Sequence, residues 1–237
     1  MYMQNIPDFY ILGLPIDTPM GQCNFIKVKE YPDIVTYLNY VQLTKQYFVN
    51  TFKEQSTNID EITVIENISL FQLVAETPDL KAIYDIVFSF VFNNEGIFEQ
   101  ITEENFNDYR SLILKMNGVK EEYINPNPEI QKWIDKSKRF KSGNQEPFFF
   151  EDMVSSVVGY NGLSYSDIND MTMYQLTVTF QRIAKIKRYD TSTLFSTVST
   201  KEIKIEQWCG HIDLFEKDDH GISRDKFNKQ SQSLFGK

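Results

Sequence analysis

The sequence predicts a mainly α fold, in which an N-terminal β-hairpin packs on a multi-helix single core and a flexible C-terminal tail follows. Apolar residues recur every three or four positions through most of the chain, which is the period of one helix face. Near the start, Thr18-Pro19-Met20-Gly21 places proline and glycine where a type I turn prefers them. Residues 216–237 are polar with few apolar anchors, which is typical of a disordered end.

We therefore divide the chain into a hairpin at 1–30, a helical body at 31–215 and a polar tail at 216–237. A chain of 237 residues is long enough to bury one large core or two small ones. Asn125-Pro126-Asn127-Pro128 is the clearest interruption, since two prolines bracket a turn. A subdivision near 117–147 therefore stays open.

The hairpin should pair strands at Phe9–Leu12 and Asn24–Val28, which are rich in β-formers. Tyr31-Pro32 then opens a helix whose apolar period continues to about Glu54. β-branched residues weaken a helix prediction for Glu61–Ala75, so the secondary structure of this segment stays open. Thr77-Pro78 starts a helix that is apolar nearly all round from Ile83 to Phe92, which predicts a central, buried position.

Thr102 should cap the next helix, and Asn117-Gly118 should end it. A short amphipathic helix follows at Ile130, Trp133 and Ile134, and Pro147 leads another helix through Val158. Beyond it, Thr191–Thr200 should still touch the core through Leu194, Phe195 and Val198, and Glu202–Phe215 fits one more helix.

The segment Gly159–Asp190 gives the strongest local signals. Ser164 with Asp167 and Thr172 with Gln175 match the capping box, so a short helix and a long one should begin there. The long helix should bury one face and expose the other. The buried face is Met173, Leu176, Phe180, Ile183, Ala184 and Lys187, and the outer face is Gln175, Thr179, Gln181, Lys185 and Arg188.

Composition excludes several kinds of function. The formal net charge of -9 disfavours a phosphate backbone, so we expect no nucleic-acid partner. No apolar run is long enough to span a bilayer and the N-terminus does not resemble a signal peptide, so we expect no membrane partner and an intracellular location. Two cysteines imply no disulfide framework.

We expect no catalytic residue, no metal and no cofactor. Cys209 and His211 with His220 resemble half a metal site, but a zinc site needs four ligands at recognisable spacing. The simpler interpretation is a helical thiol on a core face and two surface histidines. Neighbouring acidic residues diverge on a helix, and the basic patch at 136–141 suits a solvated helix end. No phosphate-binding or nucleophile motif is present.

Contact with a partner protein is therefore the favoured function. Three consecutive phenylalanines cannot all face the core, so at least one should face outward or into a partner. The candidate contact elements are this run, the outer face of the long helix and the polar tail. The candidate residues are Phe148, Phe149, Phe150, Tyr174, Gln181, Arg188, Trp208, Phe227 and Phe235.

Both ends of the chain resemble a known class of protein. The N-terminal pattern of Pro7, Leu14-Pro15, Gly21, Phe25 and Val28-Lys29-Glu30 resembles baseplate-hub assembly proteins of contractile-tailed bacteriophages. The segment 161–190, together with the later IKIEQWCGHI, resembles phage tail assembly chaperones. No catalytic residue is implied, and residues 53–150 are unmatched.

This resemblance implies a non-enzymatic factor that binds tape-measure, hub or tail-tube proteins in the cytoplasm of an infected bacterium. A permanent component of the virion tail or baseplate is an alternative, and a homo-oligomer stays open. A metal-dependent enzyme at Cys209 and His211 is the alternative from another class.

Overall fold

The computed structural model describes residues 7–55, 58–121, 124–142 and 148–215, and it confirms the mainly α prediction. The hairpin is also present, so the fold class is as predicted; the tail at 216–237 lies outside the described residues. Ten α-helices occur in the described part: α1 Tyr31–Gln42, α2 Lys45–Gln55, α3 Ile59–Asn67, α4 Leu70–Glu76, α5 Pro78–Phe92, α6 Glu103–Met116, α7 Pro128–Ser142, α8 Phe150–Asn161, α9 Tyr165–Asn169 and α10 Met173–Val198.

The N-terminal hairpin pairs two three-residue strands, β1 at Ile16–Thr18 and β2 at Gly21–Cys23, in antiparallel register. Its turn is the predicted one. The Thr18 hydroxyl donates to the Gly21 carbonyl at 2.7 Å and accepts from the Met20 amide at 3.2 Å. Gly21 has a φ of 118°, which a residue with a Cβ adopts only under strain.

The predicted strand bounds, Phe9–Leu12 and Asn24–Val28, are wrong. The first range lies in a 3-10 helix that spans Pro7–Leu12. Amides of the second range bind carbonyls elsewhere in the fold and not those of the first range: Asn24 donates to Val91 of α5 at 2.7 Å, and Val28 donates to Met171, which lies between α9 and α10, at 2.9 Å. A β ladder needs those same amides, so tertiary contacts decide the conformation of this segment.

The single helix predicted from Tyr31 to about Glu54 is interrupted. α1 ends at Gln42, Leu43 takes an extended conformation with ψ of 134°, and α2 begins at Lys45. The carbonyls of Gln42 and Leu43 accept hydrogen bonds from the guanidinium of Arg110 on α6. The apolar period continues across this break, so periodicity alone does not reveal it.

α5 lies at the centre of the core, as predicted. It packs against α1, α4 and a 3-10 helix at Ile97–Gln100. Tyr84 and Phe88 are fully buried, although Ile86 and Phe90 on the same helix stay partly exposed. One cluster of buried residues extends from Tyr10 to Ile183, so the single-core prediction is also confirmed.

α6 joins the N-terminal segment to this core. The predicted start is confirmed, since Thr102 is the N-cap and its amide donates to the Asn105 side chain at 2.9 Å, and α6 ends at Met116 before Asn117. The buried Asn117 side chain accepts from the Ile26 amide at 3.0 Å and donates to the Ile113 carbonyl at 2.8 Å. A single amide therefore satisfies polar groups of two separate segments.

α9 and α10 begin where the capping signals predict. Ser164 accepts from the Asp167 amide, and Thr172 accepts from the Gln175 amide. The N-terminal segment binds this start, because the Met173 amide donates to the Ile26 carbonyl at 2.9 Å. Met173, Leu176 and Ile183 of the predicted inner face are buried.

The helix predicted at Glu202–Phe215 is wrong. Residues 201–215, called here the strap, contain turns but no helix, and they lie along α10. Several strap carbonyls bind α10 side chains instead of strap amides, and Gly210 further weakens any helix. α10 itself continues through the Ser- and Thr-rich stretch to Val198.

Candidate functional site

The end of α10 carries an exposed apolar surface, called here the α10 tip and made of Leu194, Phe195 and Val198. Their side chains are 68%, 55% and 75% exposed, so the prediction that they touch the core is wrong. Val198 lies four residues after Leu194 and three after Phe195, and these spacings place the three side chains on one side of the helix. Residues 191–200 contain no ionisable group, which makes this surface neutral in an acidic chain.

The phenylalanine run before α8 lies partly in the core. Phe150 is half-buried and its ring centroid lies 5.1 Å from that of Tyr31. Phe148 and Phe149 are each more than half exposed, with Phe148 resting against Phe180 at 5.1 Å. Two of the three predicted contact residues are therefore available to a partner at this position.

The three candidate contact residues on α10, which are Tyr174, Gln181 and Arg188, do not form one patch. Tyr174 packs edge-to-face on Tyr10 at 5.6 Å and is part-buried against the N-terminal segment. Gln181 is exposed. Arg188 is exposed as well, and its guanidinium lies 3.8 Å from the Glu206 carboxylate of the strap. Tyr174 therefore packs against the N-terminal segment, whereas Gln181 and Arg188 remain exposed.

A row of cations on α10 holds the strap. The Arg182 guanidinium donates to the carbonyls of Trp208 and Gly210, the latter at 2.9 Å. The Lys185 ammonium donates to the His211 carbonyl at 2.7 Å. Sequence reasoning assigned Lys185 to the outer face but missed Arg182. The sequence signal that could have identified Arg182 is the spacing of three residues between Arg182, Lys185 and Arg188, since this spacing places the three cations on one side of the helix.

The strap also has two apolar anchors. Ile212 is buried. The Leu214 side chain lies close to Gly118, since a Cβ atom added at Gly118 would be 3.3 Å from the Leu214 Cδ1 atom. Trp208, a predicted contact residue, is 45% exposed although its carbonyl is bound. The strap thus follows α10 back toward its start with Trp208 still accessible.

The candidate metal ligands Cys209 and His211 do not lie on a helix as expected. Cys209 lies in the strap and is exposed, so the interpretation as a helical thiol on a core face is wrong. Across the described ranges, no group of three or more His, Cys, Asp and Glu side chains could hold a metal ion. His220 lies outside them.

Other exposed apolar side chains occur on α7 and on the N-terminal 3-10 helix. Trp133 is 71% exposed with the Lys136 ammonium 5.6 Å from its ring centroid, and Ile130 is also exposed. The amphipathic face predicted for α7 is therefore not fully buried. Phe9 and Leu12 are exposed near the chain start. Phe227 and Phe235, and the side chains at 137–141 of the basic patch, lie outside the described residues.

Within the part of the chain that the structure describes, no helix is both long and apolar enough to cross a bilayer.

Comparison with known proteins gives matches over most of the chain. The YomV N-terminal domain matches residues 4–126, and the YomV second domain matches residues 141–213. A similar protein is the SPbeta prophage-derived uncharacterized protein YomV of Bacillus subtilis (strain 168), which is 34% identical over 238 residues, or 99% of this chain and 100% of that protein. No solved structure matches. The interval between the two domain matches lies inside 117–147, where the sequence leaves a subdivision open.

Proposed function

This chain belongs to the YomV family, and on that premise we propose that it is a non-enzymatic phage assembly factor that binds apolar segments of a tail or baseplate protein. A tape-measure, hub or tail-tube protein is the partner class. Binding the aggregation-prone form of such a partner lowers its free concentration until the tail is built.

The α10 tip is the observation that carries this proposal. Its three apolar side chains are each more than half exposed, and burying apolar area contributes about 25 cal/mol per Å². Clustered apolar residues on a soluble surface mark interaction sites more often than scattered ones do. The uncharged sequence from 191 to 200 lets another apolar helix approach without desolvating an ion.

Phage biology is supported by the prophage origin of the 34% identical relative. The narrower step to a tail or baseplate rests on the resemblance of residues 7–30 and 161–190 to tail assembly proteins. A permanent virion component would use the same surfaces. Copy number in purified particles separates the two, because a component is retained in fixed, symmetric number and an assembly factor is absent.

The test is capture on the tagged full chain from cells that produce the phage encoding it, with mass spectrometry of the bound proteins. Wild type should retain an identified tail or baseplate protein. Phe195→Asp should reduce that recovery at least about tenfold, since it places a charge in the contact. The matched control is Val64→Asp, another exposed apolar residue, on α3, and it should leave recovery unchanged.

Capture of no tail or baseplate protein by wild type would refute the proposed partner class. Equal recovery by wild type and Phe195→Asp would show that the α10 tip is not the contact.

A further inference from the structure

The strap is held on α10 mainly through its backbone. Arg182 and Lys185 bind the carbonyls of Trp208, Gly210 and His211. Every peptide offers carbonyls, so this part of the recognition does not depend on the strap sequence. An extended chain placed along the same row would meet the same donors.

Two strap side chains add sequence preference. The Glu206 carboxylate lies 3.8 Å from the Arg188 guanidinium, and Ile212 fills a buried position six residues later. An acidic residue at the first site suits the row of three cations on a chain whose formal net charge is -9. The docking surface therefore prefers a branched apolar residue at the Ile212 position, and the exposed Arg188 adds a weaker preference for an acidic residue six positions before it.

The strap itself is weakly attached between these points. Most side chains from Lys201 to Glu206 are exposed, and Ile212 is its one buried apolar residue in the described chain. Segments with few buried contacts open locally at a small fraction of the cost of global unfolding. The docking surface can thus be uncovered without disturbing the core around α5.

We propose that the strap occupies, in cis, a binding site for an extended segment of a partner protein. That segment carries an acidic residue six positions before a branched apolar residue, and it displaces the strap. This inference deepens the proposed function, because it assigns a second contact surface to the same assembly factor and makes that surface self-covered before the partner arrives.

Because the strap belongs to the same chain as its binding surface, its effective concentration determines how strongly it competes with a free segment. A segment tethered by a short linker acts at an effective concentration of about 1 mM. If a free segment binds the uncovered surface with a Kd of about 100 μM, the wild-type strap weakens its binding about tenfold. A substitution that loosens the strap should therefore increase the affinity for the free segment about tenfold.

The test uses the full chain in solution and a fluorescent peptide of residues 201–215 that carries Cys209→Ser to prevent oxidation. Fluorescence anisotropy should give a Kd about tenfold lower for Ile212→Ser than for wild type. Leu214→Ser loosens the strap at a second place, so misfolding of one variant leaves the other as the test. Far-UV circular dichroism verifies the helices of each.

The controls address the cations and the peptide. Adding Arg182→Glu and Lys185→Glu to the loosened chain should weaken peptide binding at least about tenfold, and a peptide with Asp in place of Ile212 should bind comparably weakly. Equal affinity of wild type and folded loosened variants, or no binding to either, would overturn the inference. Because no phage partner is used, this result is independent of the capture experiment.

Discussion

Replacing Arg110 with methionine should destabilise the protein by about 4 kcal/mol. Arg110 is 5% exposed, and its Nε atom donates to the Val41 carbonyl at 2.8 Å. Its Nη2 atom donates to Gln42 at 3.2 Å and to Leu43 at 3.0 Å, and Nη1 pairs with Glu121. The guanidinium therefore satisfies the carbonyl end of α1, where a positive charge is also favoured by the helix dipole.

The expected loss of unfolding free energy depends on how far each of the three carbonyls is buried. Methionine keeps most of the side-chain volume but donates no hydrogen bond, so the loss is mainly polar. The buried Val41 carbonyl would then lack a donor, which costs about 2 kcal/mol. The part-buried carbonyls of Gln42 and Leu43 can recover some hydration and cost about 1 kcal/mol each.

Urea unfolding monitored by circular dichroism at 222 nm measures this loss, and the melting temperature should fall by roughly 8–16 °C. Glu121→Gln is the matched control. Its side chain is 48% exposed, so we expect a loss of at most about 1 kcal/mol. A loss below about 1 kcal/mol for Arg110→Met, or an equal loss for Glu121→Gln, would refute the assignment of the stabilisation to the α1 carbonyls.

Two further predictions concern titratable groups. Burial raises the pKa of the Cys23 thiol to about 12, so iodoacetamide at pH 8 should alkylate exposed Cys209 and spare Cys23; comparable labelling of both, by peptide mapping, would contradict this. The hydrogen bond from Lys29 lowers the pKa of Asp170, so its contribution to stability is present above the ordinary value of 3.8 and is lost as pH falls through the lowered pKa. Asp170→Asn should flatten the acid limb of a urea-midpoint profile, and an unchanged limb would contradict this.

Local signals in the sequence were sufficient for the helix starts. The boxes at Ser164 and Thr172 form where the sequence predicts, since each needs only residues three positions apart. The hairpin turn at Thr18–Gly21 is predictable for the same reason. In all three cases the partner groups lie within one turn of the chain, so no knowledge of the tertiary fold is needed.

The errors arise where a distant residue decides the conformation. Arg110 binds the Val41 carbonyl across 69 positions, and this contact lies at the break between α1 and α2. The strap takes its conformation from Arg182 and Lys185, which are 26 to 28 positions away from the carbonyls of Trp208, Gly210 and His211 that they bind. Helical periodicity in such segments records apolar spacing only, and tertiary contacts override it.

The candidate contact residues are harder to predict from sequence, because the exposure of a side chain depends on tertiary packing. Leu194 and Phe195 have the same spacing whether a helix end is buried or projects into solvent. Phe148 and Phe150 are neighbours in sequence, yet Phe150 packs against Tyr31 while Phe148 stays mostly exposed. The sequence identifies the aromatic run, and the fold determines that Phe148 and Phe149 remain exposed while Phe150 is half-buried.

α10 connects the proposed contact surfaces. Its start is fixed to the N-terminal segment through Met173, its middle holds the strap, and its end carries the α10 tip. Phe195 of the α10 tip lies seven residues beyond Arg188, which pairs with Glu206, so the two are about 10 Å apart along the helix axis and on nearly the same side of the helix. A partner long enough to cover the α10 tip therefore reaches the first strap contact as well. Displacement would begin there, because Glu206 and Arg188 are both exposed and their separation of 3.8 Å makes this a weak pair.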